Sequence, residues 1–146
     1  MAHIWTAWAD RAQSVDESPV MRRALVVFSD QTGLWWLRFL RRGFRHCFAM
    51  IQFGEGWVLY NPLSNGTQID VWAGVGEDTV RGWLEGQGFV VVEYDLAPLG
   101  PDPLAWAPFS CVEAVKRALR VRAGHVVTPW QLYRFLRKTI RKEKIP

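Results

Sequence analysis

The chain has 146 residues, 49% of them apolar and 22% charged, with a formal net charge of +4. That is ordinary globular composition in a chain long enough to bury a hydrophobic core. No segment approaches the roughly 18–20 continuous apolar residues of a membrane span, so no transmembrane segment is expected. The start, "MAHIWTAWADRAQSVDESP", lacks the charged end, apolar middle and cleavage site of a secretory signal, and synthesis in a reducing cytoplasm is expected.

Residues 1–20 read as an N-terminal extension, with a short amphipathic helix around Ile4–Ala12 and a polar linker. "RALVVFSD" (Arg23–Asp30) is a buried strand by its β-branched run and closing turn signal. "TGLWWLRFLRRG" follows, a short helix or a loop. It places Trp35 and Trp36 either in the core or on a surface that contacts a membrane, a glycan or a partner. "RHCFAMIQF" (Arg45–Phe53) and "GWVLYNPLS" (Gly56–Ser64) form a hairpin around Gly54–Glu55, and "TQIDVWAG" (Thr67–Gly74) is the next strand. "EDTVRGWLEGQG" (Glu77–Gly88) is a helix with acidic residues at its start, and "FVVVEYDLA" (Phe89–Ala97) a further strand. A Pro/Gly-rich loop, "PLGPDPLAWAP", leads to "SCVEAVKRALRVRAG". There Ser110 is the N-cap, Glu113 completes a capping box, and the helix runs to about Arg122 and stops near Gly124. Thr128, Pro129 and Gln131 open the last helix. The order predicts an α+β fold, an antiparallel sheet packed against C-terminal helices. Its main domain covers 21–137, and a basic tail covers 138–146. Six of the eighteen Lys and Arg residues fall between Arg134 and Lys144, but no base-reading motif accompanies them, so no specific nucleic-acid partner is expected.

The chemistry-bearing residues are few. Cys47 and Cys111 have no metal-binding spacing and make a poor disulfide framework, a single bridge between them being the alternative. His3, His46 and His125 are too scattered to suggest a metal site, and no cofactor is expected. Behind its Ser110 cap, Cys111 occupies the first helical position, where free amides and the helix dipole lower a thiol pKa. The same amides can hold a tetrahedral oxyanion. His46, early in a strand, is the candidate base. With the hairpin turn between Gly54 and Glu55, positions summing to about 109 face each other. His46 then lies across from Leu63, with Asn61 one diagonal step away on the same face. Asn61 is thus a candidate to orient the imidazole, with Asp70 on the next strand as its competitor. Cys47 points to the opposite face from His46 and reads as core.

A strand histidine in "FRHCFAMI", a partner strand "GWVLYNPL" and a late "FSCVEAVKRAL" helix together resemble the circularly permuted papain-like group. That group includes the permuted NlpC-type cysteine peptidases and the lecithin:retinol acyltransferase-like proteins. In it the strand histidine precedes the cysteine, which opens a helix packed on the sheet. The resemblance spans about Ala24 to Leu136. It implies a nucleophile at Cys111, a base at His46 and a third polar residue at Asn61 or else Asp70. The acyltransferase branch has asparagine immediately before the cysteine and histidine soon after. Here Ser110 and Glu113 stand in those places, which favours a peptidase or amidase. "CVEAVKRALRVRAGHVVTPWQLYRFLRK" also resembles small proteins encoded in tailed-phage and prophage structural regions. The expected activity is cleavage of an amide or peptide bond through a thioacyl-enzyme. A peptide or peptidoglycan-like substrate, phage structural proteins as partners and incorporation into a virion follow from the resemblance. A non-catalytic assembly protein and a lipid acyltransferase stand as alternatives.

Overall fold

The structure, a computed structural model, describes residues 23–31, 35–97 and 108–143. The expected extension at 1–20 and most of the Pro/Gly-rich loop, residues 98–107, lie outside the described residues. The fold is α+β. Five strands, β1 (Arg23–Ser29), β2 (His46–Phe53), β3 (Gly56–Leu63), β4 (Gly66–Trp72) and β5 (Val90–Asp95), form one sheet in the order β4-β3-β2-β1-β5. Every neighbouring pair in it is antiparallel. The described helices are α1 (Glu77–Gly86), α2 (Cys111–Ala118) and α3 (Pro129–Glu143). The aromatic-basic segment forms a 3-10 turn at Trp35–Phe39, on which Phe39 is exposed; the side chains of Trp35 and Trp36 lie outside the described residues.

Helices cover both faces of the sheet, which explains the unbroken apolar run in β1. Ala24, Val26 and Phe28 face one way and join Cys47 and Ala49 of β2 against Val112, Val115 and Leu119 of the α2 segment and Leu132 and Leu136 of α3. Leu25 and Val27 face the other way and join Phe48, Met50 and Trp57 against Val80 and Leu84, one turn apart on α1. The largest of these side chains are fully buried, each contributing about 1.5–3 kcal/mol by leaving water.

The C-terminal helices position the chemistry. Ser110 is extended at φ −147°, and its Oγ accepts the Glu113 amide at 3.1 Å. The capping box expected here is only half formed. Instead of returning to Ser110, the Glu113 carboxylate turns to Lys116 Nζ at 2.9 Å and Arg117 Nε at 2.8 Å. Both cations hold its pKa down against the opposing effect of partial burial. The box at α3 closes in both directions: Gln131 Oε1 accepts from the Thr128 amide at 3.1 Å and Thr128 Oγ1 from the Gln131 amide at 3.3 Å.

The α2 helix stops earlier than the glycine signal predicts. Arg120 takes the left-handed conformation at φ 60°, the Val121 amide donates to the Lys116 carbonyl at 2.8 Å, and the Arg120 amide to that of Arg117 at 3.3 Å. This is a Schellman ending with arginine in the usual glycine place. Burial of Val121 and a 2.9 Å bond from Arg120 Nη1 to the Ala97 carbonyl offset the strained φ. The α3 helix runs on through residues 138–143 of the segment expected as a tail.

Lys116 is buried, and its ammonium has three acceptors. These are Glu113, the Ala123 carbonyl at 3.0 Å and the Val126 carbonyl at 2.9 Å, so it ties the α2–α3 connection to α2. Lys116→Met leaves a carboxylate and two carbonyls without this donor. We expect a loss of about 3 kcal/mol in urea unfolding, against less than about 0.5 kcal/mol for Arg134→Ala on the exposed face of α3.

Candidate active site

The β2–β3 hairpin has the register its two-residue turn implies: Phe53 pairs with Gly56, Met50 with Leu59 and Ala49 with Tyr60. Each pair sums to 109, which puts His46 and Asn61 on one face at the open end of the hairpin. There His46 Nε2 lies 2.7 Å from Asn61 Oδ1.

The β4 strand extends this contact into a relay. Gln68 faces Asn61 in the β3–β4 register, and Asp70 is two residues farther on the same face. Asp70 Oδ2 accepts from Gln68 Nε2 at 2.6 Å, and Gln68 Oε1 accepts from Asn61 Nδ2 at 3.2 Å. Each link fixes the orientation of the next, so Asn61 presents its oxygen to the ring and His46 Nε2 carries a proton. The remaining nitrogen, Nδ1, is left for Cys111. Asn61 is therefore the residue that touches the imidazole, and Asp70 stands two hydrogen bonds behind it. Gln68 was not singled out from sequence. Its signal is its place opposite Asn61 and two residues before Asp70, readable once the β3–β4 turn at Ser64–Asn65 is set.

Cys111 is the first residue of α2, half-buried against the core cluster that contains Cys47. The Glu113 and Ala114 amides are taken by Ser110 Oγ and by the Ser110 carbonyl. The amides of Cys111 and Val112 keep no intrahelical acceptor and form the positive end of the helix. The Cys111 thiol pKa is lowered to about 4. A hydrogen bond from the Cys47 thiol is the leading cause and outweighs burial; the His46 ring and the Cys47 backbone amide add to it. Burial works to lower the His46 pKa, but hydrogen bonds with Cys111 and Asn61 outweigh it and the net shift is upward. Both shifts favour a thiolate–imidazolium pair. Cys47 is wholly buried and its thiol is pushed well up, chiefly by desolvation, so it stays protonated and able to donate.

The other expected groups sit elsewhere. His125 is exposed between α2 and α3 with its ring near Phe135, and His3 lies outside the described residues. The two cysteines are free thiols. Among the described residues no helix is long and apolar enough to cross a membrane. A surface cavity of about 610 Å3, lined by Arg23, Tyr94, Asp95, Thr139 and Ile140 among others, includes neither Cys111 nor His46. Its lining holds neither a cysteine nor a histidine.

Comparison of the chain with protein-family models, with curated proteins and with solved structures finds no match.

A thiol with a pKa of about 4 is ionised across the neutral range. Below that value it is protonated and unreactive; above it the alkylation rate reaches a plateau. We expect iodoacetamide to alkylate Cys111 with a lower midpoint near pH 4, and His46→Ala to move that midpoint upward by about one unit or more. The alkylated Cys111 peptide, quantified by mass spectrometry against pH, is the readout.

Proposed function

We propose that the protein is a cysteine hydrolase of the permuted papain-like kind, cleaving an amide or peptide bond through a thioacyl-enzyme. The observation that carries this reading is the polarised thiol at a helix start beside a strand imidazole whose far nitrogen is held by Asn61. An antiparallel sheet with the histidine strand preceding the cysteine helix agrees with the resemblance on which the papain-like assignment rests.

In this mechanism the Cys111 thiolate attacks the carbonyl carbon, and the carbonyl π electrons move onto oxygen. The amide of Cys111 donates to that oxyanion. The intermediate collapses as His46 passes its Nδ1 proton to the leaving amine, and a thioester remains on Cys111. Neutral His46 then takes a proton from water, whose oxygen attacks the thioester. Collapse releases the acid, and the thiolate–imidazolium pair is restored. Asn61 keeps the ring in plane through both halves. Resemblance to phage and prophage structural-region proteins makes a cell-wall peptide the first substrate class to try.

One observation favours a second reading, a non-catalytic assembly protein. Among the described residues β4 is an edge strand, and it exposes Ile69 at 61% and Val71 at 72% beside a backbone edge that a partner strand can extend. An assembly role would survive Cys111→Ala; hydrolysis would not.

The test is hydrolysis of a panel of peptide amides, including muropeptides, by wild type and variants. We expect Cys111→Ala to abolish turnover and His46→Ala to reduce it about 10²- to 10⁴-fold. Turnover by Cys111→Ala at the wild-type rate, or none by the wild type on any peptide, would overturn the reading.

A further inference from the structure

Cys47 follows His46 in β2, and strand alternation sends its side chain into the core beneath α2, among Val112, Val115 and Ala49. Its backbone has a second assignment. The hairpin closes with Phe53 opposite Gly56 around two residues, and the closing pair of such a hairpin exchanges both hydrogen bonds. By alternation the amides of Ile51, Ala49 and Cys47 also point toward β3. The paired ladder ends at Ala49 and Tyr60. Two residues on, the same register sets Cys47 against Pro62, beyond the last pair of this ladder, while Pro62 pairs with Thr67 of β4. The Cys47 amide thus lies beyond the paired ladder, on the strand whose side chains share a core cluster with Cys111, and it is among the causes that lower the Cys111 pKa.

We propose that Cys47 is a positioning residue of the thiol centre, its buried S–H and its strand-end N–H both donating to the Cys111 sulfur. His46 meets the same sulfur from the opposite face of β2. Three donors then surround one anion, and the thiolate is held at the sheet end before any substrate arrives. The wholly buried Cys47 keeps its proton, so it serves as donor and does not compete as a nucleophile. This inference rests on Cys111 acting as a thiolate, the premise of the proposed hydrolase.

The test compares Cys47→Ser, which keeps a short donor, with Cys47→Ala and Cys47→Val, which do not; valine preserves core volume if alanine fails to fold. The readout is the pH midpoint of Cys111 alkylation by iodoacetamide, with thermal unfolding followed in parallel. Alanine and valine are expected to raise the midpoint by about one unit, a tenfold smaller thiolate fraction at pH values below both midpoints. Serine is expected to remain within about half a unit of wild type. Midpoints unchanged in the apolar variants, or serine shifted as far as valine, would overturn the proposal. No substrate is needed, so the two readings separate. A shift in Cys47→Val without any amide cleavage by wild type removes the hydrolase and leaves the positioning role. Cleavage by wild type with no shift does the reverse.

Discussion

The site depends on the meeting of a helix start with the open end of a hairpin. Ser110 decides where α2 begins, and α2 begins on Cys111. The β2–β3 ladder ends at Ala49 and Tyr60, so the start of β2 is paired with β1 alone and lies beside that sulfur. Moving the cap by one residue would rotate the first helical side chain by about 100°, since a turn holds 3.6 residues, and carry the thiol away from the strand. The Lys116–Glu113 pair and the Schellman ending hold the rest of α2 in place, while Val112, Val115 and Leu119 press it onto the sheet.

Around that junction the polar groups are arranged in one direction. Asp70, Gln68 and Asn61 pass hydrogen bonds inward from β4 to β3 to the ring of His46, and the ring faces the sulfur. The relay is exposed at its outer end and half-buried at the histidine. Water can compete at Asp70, and the local field tightens toward the imidazole. Cys47 supplies the opposite side of the same anion from within the core. A thiolate held this way gains its ionisation from fixed groups.

Much of this was legible because local rules decide it. A two-residue turn and strict alternation set the hairpin register, and hence the His46–Asn61 pairing, before any packing is considered. The Ser110 and Thr128 caps are equally local. What sequence left open depends on non-local choices. Asn61 and Asp70 both qualified as the orienting residue until the β3–β4 register placed Gln68 between Asp70 and Asn61. Glu113 had a capping box available, and a buried lysine one turn away won its carboxylate. Gly124 looked like the helix stop, but burial of Val121 brought the ending forward to Arg120. Cys47 read correctly as a core side chain, yet its proposed backbone role appears only once the β2–β3 ladder is seen to end at Ala49 and Tyr60.

The central claim is that His46 and Cys111 share charge. A nitrogen-15 NMR titration of the His46 ring in wild type and in Cys111→Ala tests it most directly. We expect the wild-type ring to stay doubly protonated above its ordinary value of 6.5, with its Nε2 proton held by Asn61. Its pKa should fall in Cys111→Ala, where burial acts without the thiolate to oppose it. The same midpoint in both proteins would contradict the charge pair on which the site is built.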